Sequence, residues 1–386
     1  MSRIEEIISE FQDVVSNPGK QMKAYKDQGK KLIGIVPYYA PEELVYALDM
    51  VPVGLWGSND KTVTLAKEYF LTFYCSMVQL DMEMGLDGTL DILDGMITPT
   101  CCDTLRPASQ NFRVALDEKL HKFPVIFLAH PQNRVPEYGI KYCMDQYNNV
   151  REALEKIAGK PLDKEALKNA VRVYNKSRQA RRAFNELAKD HLDICTPTVR
   201  CAVLKAAYYL KKDEYTAKLE ELNAELAKTP KCDWKGTKVI VSGIICDNPD
   251  LLKVFEDYNI AIVADDVAQW TRSFRTDAPE TDDPMRDLAV QFSHQDYDTI
   301  LFDEKSNENR RGEHVAKLAL DNGAQGAVVF ITQFCDPEEM EYPYLKKALD
   351  QANVPHVKLG LDMQMRDFGQ VRTSLQAFAD VLEMRK

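Results

Sequence analysis

The strongest constraint on the fold of this 386-residue chain is a rhythm. Apolar runs of strand length alternate with amphipathic stretches of helix length, in two blocks separated by a block with no strand-like run. In the first block "KLIGIVPYY", "VPVGLWG", "LDGMITPT" and "FPVIFLAHP" read as strands. Between them lie "PEELVYALDM", with Pro41 at its start where a missing N–H costs little, "EYFLTFYCSMVQLDMEMGL", and "DTLRPASQNFRVAL", with Asp103 as the expected N-cap. In the last block "TKVIVSG", "IAIVADD", "YDTILFD", "QGAVVFITQ" and "VPHVKLGL" read as strands, with helices such as "NPDLLKVFEDY" and "RRGEHVAKLALDNG" between them. Continuously apolar strands, each followed by a helix, predict parallel sheets covered on both faces. The predicted class is α/β: two doubly wound (Rossmann/flavodoxin-like) units with parallel sheets, joined by a helical segment. The expected division is 1–140, an N-terminal α/β unit; 141–230, the helical segment; and 231–386, a C-terminal α/β unit.

The helical segment shows apolar residues at three- and four-residue spacing, interrupted by the breakers "GKP" and "CTP". Its basic run "KSRQARR" reads most simply as a solvated helix face. Hydrophobic content of 45% and charged content of 28% fit an ordinary soluble globular protein. A net charge of −11 argues against a non-specific nucleic-acid binder, which needs a basic face for phosphates. It leaves room for a local basic pocket that takes an acidic or CoA-type ligand. The first residues, "MSRIEEIISEFQDVV", carry acids inside their apolar pattern and so read as an amphipathic helix rather than a signal peptide. No apolar run reaches the roughly 20 residues that span a bilayer. The expectation is a cytoplasmic protein with no membrane or nucleic-acid partner.

Nine cysteines, an odd number, argue against a disulfide framework in such a chain. No CxxC occurs, so the local zinc and ferredoxin signatures are missing, as are GxGxxG after a strand and the P-loop motif. Any metal-binding cysteines must therefore come from distant parts of the chain. In open α/β sheets ligands bind at the carboxyl ends of the strands. Cys101 and Cys102 sit at that end of "MITPT", and Cys335 at that end of "GAVVFITQF", before a helix start with Asp336 and Pro337. Cys75 lies on a helix or at its entry. A site between the two units could collect all three positions, although a free cysteine usually packs as a small hydrophobe. Cys143, Cys195 and Cys201 fall in helical stretches, Cys246 in a loop and Cys232 in a polar linker.

"FYCSMVQ", "CCDTLRPASQNF", "LAHPQNR", "DDVAQWTRSFRTD" and "QFCDPEEMEYP", in this order, resemble the smaller (β) subunit of the 2-hydroxyacyl-CoA dehydratases. The likeness runs from "QGKKLIGIVPYY" almost to the C-terminus and is strongest to the (R)-2-hydroxyglutaryl-CoA branch. The lactyl-CoA and 2-hydroxyisocaproyl-CoA branches and benzoyl-CoA reductase subunits are near alternatives. The resemblance implies a heterodimer with a related α subunit, an ATP-dependent iron–sulfur activator protein that injects one electron, and a 2-hydroxyacyl-CoA substrate. It implies a [4Fe–4S] cluster on Cys75, Cys102 and Cys335. Cys102 rather than Cys101 is selected because the family pattern has a cysteine directly before "DTL". Part of the family also carries flavin (FMN). The implied reaction removes water from (R)-2-hydroxyglutaryl-CoA to give glutaconyl-CoA. One-electron reduction of the thioester carbonyl gives a ketyl radical that expels hydroxide and acidifies the β-hydrogen, and the electron is returned at the end. A purely electron-relaying or structural role of this subunit is the non-catalytic alternative, and zinc on the same cysteines is another. Glu43 and Arg272 are candidates for catalytic, pocket or interface roles; their plainer readings are a first-turn helix acid and a surface ion pair. His130 is expected to make a structural hydrogen bond to the backbone. Asp265 and Asp266 read as a metal or acid–base pair, or equally as a helix-cap arrangement.

Overall fold

A computed structural model of the chain describes residues 2–36, 39–301 and 310–385. Two helices, α1 (Arg3–Ser16) and α2 (Pro18–Asp27), precede the first sheet unit. That unit comprises β1 (Leu32–Ile35), α3 (Glu42–Ala47), β2 (Val51–Gly54), α4 (Ser76–Leu86), β3 (Gly95–Pro99), α5 (Leu105–Phe112) and β4 (Val125–Leu128). Four helices follow: α6 (Glu137–Ala158), α7 (Lys164–Ala188), α8 (Pro197–Lys205) and α9 (Lys212–Lys228). The second unit is β5 (Thr237–Gly243), α10 (Pro249–Asp257), β6 (Ile260–Val267), α11 (Pro284–Ser293), α12 (Arg311–Asp321), β7 (Gly326–Thr332), α13 (Asp336–Gln351), β8 (His356–Leu361) and α14 (Gly369–Glu383).

Each unit holds a four-stranded, wholly parallel sheet, as the apolar runs predicted. The strand orders are β2-β1-β3-β4 and β6-β5-β7-β8, the same permutation used twice. In each sheet the chain passes outward from the first strand to the second, then returns to the other side of the first. The switch point therefore lies between β1 and β3 in one sheet and between β5 and β7 in the other, where loops diverge and leave a crevice.

The long helices cover both sheets. On α6, Ile140, Cys143, Tyr147, Val150 and Leu154 recur at three- and four-residue steps and pack on Ile33, Ile97, Ile126 and Leu128 of the first sheet. On α7, Leu167, Ala170 and Val171 join that same core, while Phe184 and Ala188 join the core beneath the second sheet. This 25-residue helix thus ties the two sheets together. Helix α1 begins with a capping box between Ser2 and Glu5, and it buries Ile7, Ile8 and Phe11 in the second sheet's core. Full burial of side chains of this kind contributes about 1.5–3 kcal/mol each.

Three local expectations are corrected. The strand expected at "YDTILFD" does not form: residues 297–301 are turn and bend, and residues 302 and 303 lie outside those described. Ile300 and Leu301 are apolar because they pack against the two cores of the first unit, not because they pair with a strand. Asp103 is not the cap of α5; Thr104 holds that position without a side-chain bond, and Asp103 is exposed, 3.6 Å from Arg106. The stretch before Cys75 is not helical up to that residue, because α4 starts only at Ser76.

Candidate functional site

Cys75, Cys102 and Cys335 come together at the carboxyl edges of the two sheets. Cys102 lies three residues beyond the end of β3, and Cys335 three residues beyond the end of β7, so the two occupy matching places at the two switch points. All three join one apolar cluster, in which Ile244, Ile245, Ala268 and Met363 of the second unit pack against Trp56, Met77 and Leu105 of the first. The cysteines also share a local design. Cys75 is the N-cap of α4 and Cys335 the N-cap of α13, while Cys102 sits in the turn that leads into α5. The Cys75 thiol faces the N–H of Val78, Cys102 those of Thr104 and Leu105, and Cys335 that of Glu338. Three thiols therefore point at the N-terminal first turns of three different helices, where free N–H groups and the helix dipole favour negative charge.

The backbone enforces this arrangement at Cys335. Phe334 adopts φ 62°, a left-handed conformation that bulky residues rarely take, and so turns the chain sharply off β7. The Cys335 N–H then returns to the Thr332 carbonyl (2.9 Å), and the Thr332 N–H donates to the buried Glu338 carboxyl (3.0 Å). Burial pushes all three thiols up, Cys75 to about 12, with neighbouring acidic groups adding to the shift and the helix N–H groups opposing it. Left to themselves they stay protonated at neutral pH. A cationic partner is what such a set needs to become thiolate, because coordination deprotonates a thiol outright. No three His, Cys, Asp or Glu side chains among the described residues converge closely enough to hold a single metal ion. Cysteine thiols are the donor type that iron–sulfur clusters take, and Cys75, Cys102 and Cys335 are the residues that would hold one.

Cys101 separates from its twin: it is 8% exposed and packs in the apolar cluster, whereas Cys102 is half-buried. Cys143, Cys201 and Cys246 are buried; Cys195 lies in the turn before α8 rather than on a helix.

Arg272 is fully buried, not a surface residue. It lies 3.5 Å from Asp298 and 3.6 Å from Asp266, and it donates to the carbonyls of Gly243 and Asp266. Asp298 accepts from the Tyr39 hydroxyl, so this network links the loop after β1 to the second unit. The acid pair is not a metal site. Asp265, within β6, accepts from Arg200 (2.6 Å) and from the backbone and hydroxyl of Thr271 (3.0 and 2.7 Å), so its oxygens are taken by this chain's own donors. Asp266 accepts from Arg311 (2.6 Å) and Arg275 (3.3 Å). Burial would raise its pKa, but the guanidinium groups of Arg311, Arg272 and Arg275 hold it well below the usual carboxylate range. The His130 ring is set against the backbone of Tyr39, in line with the expected structural contact, with both nitrogens buried, and it stacks on Phe292 at 4.2 Å; burial depresses its pKa to about 3, with the backbone contact opposing the shift.

Glu43 is 3% exposed and bonds Arg178 of α7, beside a cavity of about 80 Å³. It is both the first-turn acid and a pocket residue. The cavity's other charged walls were not anticipated. Arg178 and Arg181 belong to "KSRQARR", and both are buried, so that run is not a solvated face. A signal was present: Leu167, Val171, Tyr174, Arg178 and Arg181 follow one another at steps of three and four, on one helix face.

Paired parallel α/β units with thiols converging on the crevice between them define a class that comparison makes specific. The family model described as 2-hydroxyglutaryl-CoA dehydratase, D-component, matches residues 37–382. The chain is 54% identical over 380 residues to the (R)-2-hydroxyglutaryl-CoA dehydratase subunit beta of Acidaminococcus fermentans, covering 98% of this chain and 100% of that one. It is 41% identical over 383 residues to the (R)-phenyllactyl-CoA dehydratase beta subunit of Clostridium sporogenes (99% and 100% covered). It is 35% identical over 384 residues to the lactoyl-CoA dehydratase subunit beta of Anaerotignum propionicum (99% and 100% covered). The chain belongs to the 2-hydroxyglutaryl-CoA dehydratase D-component family.

Proposed function

We propose that this chain is the β subunit of a 2-hydroxyacyl-CoA dehydratase that converts (R)-2-hydroxyglutaryl-CoA to glutaconyl-CoA, and that Cys75, Cys102 and Cys335 hold a [4Fe–4S] cluster. The observation that carries the reading is the convergence of these three thiols on three helix N-termini in one crevice. The substrate assignment is supported by the 54% identity to a 2-hydroxyglutaryl-CoA dehydratase subunit. When bound, the cluster supplies a low-potential site for a single electron. The chain's own part is to hold the thiolates with first-turn N–H groups and to keep water off them with the apolar cluster that contains Cys101, Met77 and Met363. Cys75, Cys102 and Cys335 would be its protein ligands.

The partners are a related α subunit and an ATP-dependent iron–sulfur activator, and flavin (FMN) is a further cofactor of the proposed complex. We read the complex as cytoplasmic, in keeping with nine free cysteines; no helix among the described residues is long and apolar enough to cross a membrane.

Anaerobic purification with the α subunit, followed by iron and sulfide counts, tests the assignment. Cys75→Ala, Cys102→Ala and Cys335→Ala are each expected to lose about one cluster per heterodimer. Unchanged iron in all three would overturn it. Activated heterodimer turning over 2-hydroxyglutaryl-CoA without stoichiometric electron consumption separates a dehydratase from a reductase.

A further inference from the structure

A cavity of about 560 Å³ opens where the carboxyl end of β2 meets the carboxyl end of β5. Residues 55–61, after β2, form one side, and Asp247 with the start of α10 forms the other. The junction of α1 and α2 and one face of α8 close it. Cys75, Cys102 and Cys335 are not among its walls, so it stands apart from the cysteine crevice. Small-molecule sites of this size commonly lie between units, with mostly apolar walls and a few placed polar groups.

The buried part of the wall includes Met22, Leu55, Met84, Ala202 and Leu252, and its polar exceptions are Tyr209 and Asp247. The remaining polar lining is half-buried or exposed, with Gln12, Ser16, Asp60 and Thr89 open to solvent. Asp247 is already satisfied: it accepts from Lys205, from Gln269 (2.9 Å) and from Asn59 (3.1 Å). Lys61 is paired with Asp87. Both cations of the wall are thus neutralised, and a charged ligand would give up its hydration with no buried counter-charge to meet it. Tyr209 is different. It is 7% exposed, and its hydroxyl makes no hydrogen bond among the described residues, yet it is not sealed inside the protein. Burial raises its pKa against the pull of Lys205, so it keeps its proton. The cavity therefore holds one donor that the polypeptide does not match, and a donor left unmatched out of water costs free energy.

We propose that this cavity binds a neutral fused-ring aromatic ketone, its carbonyl oxygen accepting from the Tyr209 hydroxyl. The charge balance makes the ligand neutral, the buried wall makes most of it apolar, and the free hydroxyl calls for an acceptor. The thioethers of Met22 and Met84 are favourable neighbours for an aromatic ring. One water occupies about 10–15 Å³ on the same measure, so a space of about 560 Å³ accommodates a tricyclic molecule. The site stands on the cavity's own geometry and holds whatever the cysteines carry.

Equilibrium dialysis of the purified αβ complex tests it, with xanthone as the probe. Xanthene, which lacks the carbonyl, and xanthene-9-carboxylate, which carries a charge, are the controls. Saturable xanthone binding is expected, with xanthene about three- to ten-fold weaker for want of the hydrogen bond and the carboxylate weaker still. Tyr209→Phe in this subunit is expected to reduce xanthone to the level of xanthene and to leave xanthene unchanged. Its melting temperature is expected to match wild type, because the hydroxyl has no partner in the fold. Gly19→Trp is expected to abolish binding of both ring systems. Gly19 lines the cavity and is exposed, and a Cβ added there would meet nothing closer than the Asn17 side-chain oxygen, at 3.9 Å, so the indole has room to enter the cavity without displacing the core. Absence of saturable xanthone binding to the wild-type complex, xanthene or the carboxylate binding as tightly as xanthone, Tyr209→Phe holding xanthone like wild type, or a folded Gly19→Trp doing so would each overturn the proposal. Iron and sulfide do not enter these readouts, so failure of the cluster assignment would leave them unaffected.

Discussion

Cys101 and Cys102 are neighbours with different fates. The turn after β3 sends Cys101 into the apolar cluster and leaves Cys102 half-buried against the N–H groups of Thr104 and Leu105. Cys101→Ser is therefore expected to keep full iron content, at the stability cost of a buried hydroxyl, about 1–3 kcal/mol. Cys102→Ser is expected to lose the cluster. Iron and sulfide analysis of the two variants decides, and the opposite result would assign the ligand to the other twin. Asp81, on the same helix as Ser76, gives a pH prediction. It is fully buried, accepts one bond from the Gly57 N–H (2.8 Å), has its second oxygen unpartnered, and is pushed by burial to about 8. A carboxyl with a folded pKa above its unfolded one binds more protons when folded. Its stabilising contribution is complete below the unfolded pKa of about 3.9 and is lost as pH rises toward 8. Asp81→Asn should flatten that slope and be more stable than wild type at pH 8, by a margin of the order of a few kcal/mol. Denaturation curves at pH 5 and pH 8 measure it; equal pH slopes in the two proteins would mean that Asp81 is ionised in the fold.

At the scale of elements, the connection between α3 and α7 is the buried Glu43–Arg178 pair, with Arg178 also held by the Asn175 side-chain oxygen (2.8 Å) and set over the Tyr174 ring. Arg178→Met leaves Glu43 charged and alone in the interior and is expected to destabilise the complex by about 3–5 kcal/mol. Adding Glu43→Gln should recover much of that loss, since the uncompensated charge goes with it. A double-mutant cycle by chemical denaturation reads the coupling, and additive losses would show that the pair contributes little beyond packing. These contacts also mark where sequence reasoning stops. Among the described residues, β1, β2, β3, β5, β6 and β7 were legible because a strand covered on both faces must be apolar throughout, while the edge strands β4 and β8, with Phe127 and Lys358 exposed, were legible as short apolar runs. "YDTILFD" met the same criterion for another reason, as its Ile300 and Leu301 plug the first unit's cores from a loop. The stripe on α7 was legible as a spacing, but its basic residues read as solvent-facing. The acids that make burial affordable lie over 130 residues away on α3 in the Arg178–Glu43 case. Cys335 and the Cys101–Cys102 pair followed from strand-end position. Choosing Cys102, and adding Cys75 at a helix entry, needed the family resemblance, because no local spacing links residues brought together only by two sheets meeting.

For the whole molecule, one apolar cluster joins residues from the carboxyl edges of both sheets, and several exposed apolar side chains lie next to its cysteines in the chain. Leu71 and Phe73, just before Cys75, are 61% and 59% exposed, and Met340 and Tyr344, on the helix that Cys335 caps, are 75% and 59% exposed. Phe334 beside Cys335 is exposed as well. Large apolar side chains gathered at one rim mark an association surface, whereas single ones scattered over a protein do not. If the proposed α subunit docks on this rim, it covers the cysteines directly. Phe73→Asp with Met340→Asp should leave the chain folded, since neither side chain is buried, and should weaken the heterodimer by about thirty-fold or more if the pair acts as an interface anchor. Leu320→Asp is the matched control. Leu320 is 60% exposed, but it lies at the C-terminal end of α12. A helix that returns between parallel strands ends at the amino edge of the sheet, opposite the crevice. Sedimentation of the two subunits with each variant distinguishes the outcomes. Loss of association with Leu320→Asp and not with the rim pair would put the partner on the other edge, and the crevice would then have to be closed by this chain alone.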